Sequence, residues 1–108
     1  MKVTITGRHC DVPQKIIDRT EVQFAKLVKF QTRATHADVI YVDEGHSKRV
    51  EGIVFVDGAP QVAARGDGEN FRAALSQLVD RLRRQLKEQR EQLTDHKAPP
   101  LIDSIETE

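Results

Sequence analysis

Residues 70–93 carry the longest helical hydrophobic pattern of the chain, and this segment restricts what the remainder can fold into. Apolar side chains recur there at steps of three and four, at Phe71, Leu75, Leu78, Leu82, Leu86 and Leu93. This spacing predicts an amphipathic α-helix with one face for a core. Gln89 is the only polar interruption of the stripe. The other segments must therefore supply a surface on which one long helix can pack.

Four strands and one further helix are predicted outside that segment. Alternating or β-branched patterns indicate strands over residues 2–6, 36–42, 48–56 and 59–65. A stripe of Ile16, Thr20, Phe24 and Leu27 indicates a helix from Pro13 to about residue 31. The order β-α-β-β-β-α predicts an α+β fold with a four-stranded sheet. Both helices should lie on one face, because each has a single apolar stripe, and the first two strands can be parallel because a helix connects them.

Turn residues separate these elements. Asp57-Gly58 predicts a two-residue hairpin, and Pro60 suggests an edge position or a strand start. Residues 66–69 predict a flexible lead-in to the long helix, with Glu69 or Asn70 near its cap. Pro99 and Pro100 should end that helix. We therefore expect one domain over residues 1–97 and an acidic, disordered tail over residues 98–108.

Composition suits one soluble cytoplasmic domain. The chain has 108 residues, with 38% hydrophobic and 31% charged side chains. It contains no apolar run long enough to span a membrane, and its first residues lack the apolar region of a secretory signal. The single Cys10 cannot form an internal disulfide, which fits a reducing compartment.

Basic residues cluster although the formal net charge is zero. The last eleven residues hold three of the 17 acids and no base, so residues 1–97 carry a net charge of +3. One flank of the long helix collects Arg72, Arg83, Lys87 and Arg90, while Arg81 and Arg84 lie on its far side. On the first helix Lys15, Arg19 and Lys26 share a side, with Lys29 near them. Such flanks are either solvated surface or contacts for a polyanion.

Neither a metal site nor catalysis is predicted. His9, Cys10, His36 and His46 have no ligand spacing, and neither a nucleophile elbow nor a phosphate-binding glycine loop is present. Tyr41 fits strand packing better than base stacking. The basic flanks therefore favour a reader of RNA shape and backbone over a reader of sequence.

The chain resembles the short ribosome hibernation promoting factors and the ribosome-associated inhibitor A proteins, formerly called sigma-54 modulation proteins. The resemblance covers about residues 1–97. It is carried by residues 5–9 (ITGRH), 24–27 (FAKL) and 56–58 (VDG), and above all by the long-helix pattern of Asn70-Phe71, Ala73-Ala74-Leu75, Asp80-Arg81-Leu82, Arg84-Gln85-Leu86-Lys87 and Arg90.

This resemblance implies a fold similar to double-stranded RNA-binding domains, without enzymatic activity or cofactors. It also implies binding to the small ribosomal subunit, in the channel between head and body. There the protein would overlap the mRNA path and the aminoacyl and peptidyl tRNA sites, and so inhibit translation in stationary phase or stress. The alternative is a protein-only regulator of a transcription factor that does not bind ribosomes.

The resemblance also implies contact residues. Lys26, Arg81, Arg84, Lys87 and Arg90 match the basic positions that meet ribosomal RNA. With the basic flanks included, the predicted RNA-binding set is Lys26, Lys29, Arg72, Arg81, Arg83, Arg84, Lys87 and Arg90. Some positions depart from the family's pattern: Asn70, Phe71 and Arg72 stand where aspartate, methionine and tyrosine are usual. Ser76 and Glu88 replace a usual aspartate and a frequent base.

Long members of the family add a dimerising domain. This chain ends before it, so the resemblance implies a short, monomeric form whose partners are ribosomal RNA and ribosomal proteins, with no membrane and no small-molecule substrate. The acidic tail is like that of the inhibitor A type. The two short types differ in whether they promote or oppose ribosome pairing, and both alternatives stay open.

Overall fold

The six predicted elements are present in the predicted order. The computed structural model describes the backbone of residues 1–97 and the side chains of residues 1–92, so the predicted tail lies outside the described residues. The elements are β1 (Lys2–Arg8), α1 (Gln14–Leu27), β2 (Ala34–Asp43), β3 (Lys48–Val56), β4 (Val62–Gly68) and α2 (Phe71–Lys97).

The four strands form one sheet in the order β1-β2-β3-β4. Strands β1 and β2 are parallel, with Val3 opposite Ala37, because α1 carries the chain back between them. The β2–β3 and β3–β4 pairs are antiparallel. The predicted α+β architecture, with a parallel pair beside an antiparallel meander, is therefore confirmed.

Both apolar stripes are buried on the same face of the sheet. Leu78, Leu82 and Leu86 of α2 are completely buried, as is Phe24 of α1. They join one core with the strand residues that point to that face, including Ala37, Val39, Val50 and Val54. The opposite face carries no helix in the described part of the chain.

Gln89, the polar interruption of the α2 stripe, is explained by a partner in the α1–β2 connection. Its Oε1 accepts a 2.9 Å hydrogen bond from Nε2 of Gln31, which is itself buried. Its Nε2 donates to the backbone carbonyl of Pro60 at 2.7 Å. Because buried amides need partners, these two bonds let a glutamine replace a leucine at the edge of the core. They also tie together three segments distant in sequence.

The prediction for the β3–β4 connection was wrong. Asp57 and Gly58 do form a turn, closed by a bond from the Ala59 amide to the Val56 carbonyl, with Gly58 at φ 72°. Strand β4 nevertheless begins only at Val62 and runs to Gly68, so the loop has five residues rather than two.

The segment around Gly66 and Gly68 was predicted as a flexible turn, which was also wrong. A Cβ at Gly66 would collide with the backbone carbonyl of Ala74, and one at Gly68 would lie 2.9 Å from the Ala74 amide. These glycines let the first turns of α2 rest directly on β4.

Other element boundaries also differ from the prediction, and β2 spans Ala34–Asp43 rather than residues 36–42. Helix α1 ends at Leu27 rather than near residue 31, because the amides of Phe30 and Gln31 bond three residues back, to Leu27 and Val28, instead of four. Strand β1 continues through Gly7 to Arg8. At the start of α2, Asn70 Oδ1 accepts a 2.8 Å bond from the Ala73 amide, which confirms the predicted cap.

Candidate nucleic-acid interface

The two helices lie side by side and point in the same direction. At their amino-terminal ends Lys15 and Arg19 of α1 line a cleft together with Arg72 of α2. At the other end, Nη1 of Arg90 on α2 is 3.3 Å from the carbonyl of Lys29, which follows α1. The basic flank of each helix therefore faces the other helix across the groove between them.

Helical spacing places the other bases of the two flanks along the same groove. Lys26 follows Arg19 by seven residues, which is nearly two turns, and Arg83 precedes Arg90 by the same interval. We call the assembled set the interhelical basic surface. Its members are Lys15, Arg19, Lys26, Lys29, Arg72, Arg83, Lys87 and Arg90.

Six of the eight predicted contact residues belong to this surface. The other two, Arg81 and Arg84, lie on the opposite side of α2, as its periodicity predicted. Nη1 of Arg81 donates to the backbone carbonyl of Arg65 on β4 at 2.5 Å. Its contact with RNA stays a prediction, but the structure gives it a partner inside the protein.

Lys15 and Arg19 belong to the surface although the predicted contact set omitted them. Their spacing with Lys26 already put them on one side of α1. What the sequence did not show is that this side faces α2, because that depends on how the two helices pack. Val22 lies on the same side of α1 and is 54% exposed, the largest exposure of any large apolar residue among those described.

Ion pairing distinguishes this surface from the opposite face of the sheet. There, Arg49 pairs with Glu44 at 2.8 Å and with Glu51 at 3.1 Å, and Arg65 pairs with Asp67 at 3.6 Å. At the end of the β2–β3 hairpin, Lys48 pairs with Asp43 at 2.9 Å. The hydrogen bond from Lys48 lowers the pKa of Asp43, so that pair stays charged.

On the interhelical basic surface, Arg83 pairs with Asp80 one turn away. Six other bases of the surface form no ion pair within the described part of the chain: Lys15, Arg19, Lys26, Lys29, Arg72 and Lys87. The positive charge of these six is thus not neutralised locally. Such a concentration of one sign attracts polyanions.

Tyr41 is not a base-stacking platform, and the prediction of strand packing is confirmed. Its side chain is completely buried, and its hydroxyl lies 2.7 Å from Oγ1 of Thr20. The Thr20 hydroxyl donates its proton to the Ile16 carbonyl at 2.6 Å, so Tyr41 is the donor in the bond between the two hydroxyls. Burial raises the pKa of the Tyr41 hydroxyl, because water cannot reach the phenolate. The ring of Phe71 meets Tyr41 edge-on at 5.1 Å.

The metal-capable residues are scattered. His9 and Cys10 follow β1, His36 lies on β2, and His46 lies in the β2–β3 loop. Residues 1–92, whose side chains the structure describes, contain no group of three or more histidine, cysteine or acidic side chains arranged to hold a metal ion. Over the same residues, no helix combines the length and apolarity needed to cross a bilayer.

The fold and its helix face define a small α+β domain with a basic groove between two parallel helices. Comparison with known proteins places this domain in a family. The chain matches the family described as "Sigma 54 modulation protein / S30EA ribosomal protein" over residues 3–94. Because the match spans most of its length, the chain belongs to that family, and the predicted resemblance is confirmed.

Two relatives have the same name. The chain is 33% identical over 91 residues to a "Ribosome hibernation promoting factor" of Azotobacter vinelandii, covering 84% of each chain. It is 26% identical over 96 residues to a protein of that name from Escherichia coli strain K12, covering 89% of this chain and all of the relative.

Solved structures support the same fold. The "Thermus thermophilus Protein Y N-terminal domain" superimposes with a TM-score of 0.74 at 28% identity, over 82% of this chain and 98% of that one. A "ribosomal subunit interface protein from Coxiella burnetii" superimposes with a TM-score of 0.78 at 18% identity, over 84% and 99% of the two chains. At that identity the second likeness concerns the fold alone. The expected similarity to double-stranded RNA-binding domains stays a prediction.

Proposed function

We propose that this protein is a ribosome hibernation factor. It binds the small ribosomal subunit in the channel between head and body, overlaps the mRNA path and the aminoacyl and peptidyl tRNA sites, and inhibits translation in stationary phase or stress. The family match over residues 3–94 carries the proposal, since relatives that align over 84% and 100% of their own length are named ribosome hibernation promoting factors.

The interhelical basic surface supports RNA as the main contact. Its bases lie on two parallel helices, so they form two rows along one groove that a phosphate backbone can follow. Lys26, Lys29, Arg72 and Lys87 are exposed and form no ion pair within the described part of the chain. They can therefore meet phosphates without first breaking a contact with an acid. Each phosphate that they neutralise releases counterions, which makes binding depend on salt.

The charge pairing on the far face of the sheet explains why RNA would bind to the helix side of the protein. On the far face of the sheet, Arg49 and Arg65 are occupied by acids. A polyanion gains less there, because it must displace those carboxylates or be repelled by them. The protein would therefore bind with its helices toward the RNA and its sheet outward.

Co-sedimentation with purified small subunits at a series of salt concentrations tests the proposal. The double variant Lys26→Gln/Lys87→Gln should bind more weakly and lower the slope of log affinity against log salt by about two. The matched control, Arg49→Gln/Arg65→Gln, removes the same charge from the far face of the sheet and should leave the slope within about half a unit of the original.

Two results would contradict the proposal. One is co-sedimentation that fails at low salt, as expected for the alternative, a regulator that acts on a transcription factor alone. The other is equal weakening by both double variants, which would mean that net charge rather than the groove determines binding. A toeprint assay on initiation complexes then tests the location, because overlap with the mRNA path requires exclusion of mRNA.

A further inference from the structure

A cleft lies where the amino-terminal ends of α1 and α2 meet, at one end of the interhelical basic surface. Its volume is about 400 Å³, which is within the range of small-ligand sites. Its described lining residues are Pro13, Lys15, Ile16, Arg19, Asn70, Phe71 and Arg72. Three of these seven are bases and none is an acid, so the cleft is a positively charged concavity.

The three bases of the cleft are not neutralised by the protein. Lys15, Arg19 and Arg72 form no ion pair within the described residues, whereas Arg83 on the same surface pairs with Asp80. Arg19 is also half-buried, which reduces its screening by water. Like charges held around one concavity without an acid raise its potential and favour an anion inside it.

The rest of the lining is apolar and partly aromatic. Phe71 is half-buried, and its position is fixed from below by the edge-on contact with Tyr41 at 77° between the ring planes. Tyr41 is held in turn by its bond to Thr20. Phe71, Ile16 and Pro13 thus offer a supported apolar surface beside the three cations.

We propose that this cleft binds one nucleotide unit, with its phosphate among Lys15, Arg19 and Arg72 and its base against Phe71 and Ile16. A simple anion would leave the apolar lining without a partner, and an apolar ligand would leave the three cations without a counter-charge. A nucleotide combines both properties in one molecule, and its base can stack on an aromatic ring whatever its identity. The unit is either a free nucleotide or an unstacked nucleotide of an RNA chain.

Two residues at the start of α2 give the cleft its combined character, because Phe71 supplies the aromatic ring and Arg72 one of the three bases. The inference also goes beyond ribosome binding, because a free nucleotide can be tested with no ribosome present.

Nuclear magnetic resonance titration of the full chain tests the proposal. Guanosine 5′-monophosphate is compared with guanosine and with inorganic phosphate, following the backbone amides of residues 14–19 and 70–72. The nucleotide should shift these amides and bind about tenfold more tightly than either fragment. If inorganic phosphate binds as tightly as the nucleotide, the apolar lining takes no part and the proposal is wrong.

Variants locate the site. Arg72→Gln should weaken nucleotide binding about tenfold, because it removes a charge-assisted bond to phosphate. Arg84→Gln is the matched control, as an exposed base on the same helix but outside the cleft, and should have no effect. Phe71→Leu should weaken nucleotide binding while leaving inorganic phosphate unchanged. Should Phe71→Leu fail to fold, Arg19→Gln provides the second test. Equal weakening by Arg72→Gln and Arg84→Gln would overturn the proposal.

A second titration distinguishes the two sources of the nucleotide. A short single-stranded oligonucleotide and a duplex of the same sequence are added separately. If free nucleotides bind in the cleft, the free source is established. If only the single strand shifts the cleft amides, the nucleotide belongs to an RNA chain and must be unstacked to enter. If no nucleotide and no single strand shifts them, the inference fails, and ribosome binding is judged separately by co-sedimentation.

Discussion

Arg81 on α2 donates a hydrogen bond of 2.5 Å to the backbone carbonyl of Arg65 on β4. One helical turn to either side, Gln77 accepts a bond of 2.8 Å from the Asp67 amide, and Gln85 donates one of 3.2 Å to the Ala63 carbonyl. Four helical residues advance about 6 Å and two strand residues about 6.6 Å. The two repeats therefore match when helix and strand lie alongside each other.

The three bonds from Gln77, Arg81 and Gln85 form a ladder that occupies backbone groups on an edge strand. Strand β4 pairs only with β3, so its outer amides and carbonyls would otherwise face solvent. Unpaired edge groups are templates for pairing with another chain. By bonding to alternate residues of β4, three side chains of α2 remove part of that template. Arg81 thus has a structural role that the sequence pattern alone did not reveal.

Replacing Arg81 tests this role. Arg81→Met keeps the apolar stem but loses the bond to Arg65, so the free energy of unfolding should fall by about 1 kcal/mol. Self-association, measured by light scattering at high protein concentration, should increase because the edge is less protected. Arg84→Met is the control on the same helix, and its unfolding free energy should stay within about 0.5 kcal/mol of the original. Identical behaviour of the two variants would show that the ladder protects nothing.

The amide pair Gln31–Gln89 should be coupled. Gln31→Leu leaves the Gln89 Oε1 without its 2.9 Å donor and removes the buried carbonyl near Arg33, so it should cost about 1–3 kcal/mol of unfolding free energy. Gln89→Leu should cost a similar amount. The double variant should cost less than the sum, because each single change already breaks the shared bond. Urea unfolding of the four proteins measures the coupling, and strict additivity would contradict it.

Leu82 should be among the most sensitive positions of the core. It is completely buried between α2 and the sheet, and its methyl group approaches Gly52 of β3. Leu82→Ala should lower the free energy of unfolding by about 2–5 kcal/mol through lost burial and the cavity that remains. Arg84→Ala, two residues along on the exposed side, should change it by less than about 0.5 kcal/mol. A loss for Leu82→Ala as small as for the control would mean that the core closes over the cavity.

Alkaline pH should destabilise the protein partly through Tyr41. Burial raises its pKa above the ordinary 10.0, so the fold favours the neutral phenol. The corresponding stability is fully present below about pH 10 and is lost as the pH rises through the higher folded value. Tyr41→Phe should be less stable by about 1 kcal/mol at neutral pH, since it lacks the bond to Thr20.

The difference in unfolding free energy between the original protein and Tyr41→Phe should then narrow above pH 10. Tyr41 is the only tyrosine, so phenolate absorbance follows its ionisation directly. A tyrosine that ionises at its ordinary pKa in the folded protein would contradict the prediction.

Val22 provides a test of the interhelical basic surface without removing a base. It is exposed on the side of α1 that carries Lys15, Arg19 and Lys26. Val22→Glu places a carboxylate among these bases and should weaken small-subunit binding about tenfold, with little change in unfolding free energy. Thr4→Glu puts the same charge on the exposed side of β1 and should leave binding unchanged. Equal losses for both would mean that the helix face is not the binding face.

The fold was largely predictable from hydrophobic periodicity, because both helix stripes and the strand alternation are local signals. The β4 boundaries were not, since Gly66 and Gly68 suggest a turn until the close approach of α2 is known. Each basic flank was also visible in the sequence. That the two flanks share one groove follows from the parallel packing of the helices, which no local pattern encodes. The partners of Arg81 and Gln89 likewise depend on tertiary contacts.

The two edges of the sheet have different consequences for assembly. The β4 edge is occupied by the α2 side chains, whereas no side chain of either helix bonds to the β1 backbone in the described part of the chain. An added strand can therefore pair more readily with the β1 edge of the sheet than with the β4 edge. Two copies joined β1 to β1 would form an eight-stranded sheet bounded by two β4 edges, and further growth would be disfavoured because α2 side chains occupy part of each edge. A misfolding event at β1 should accordingly give pairs, and fibres would require the β4 edge to be exposed as well.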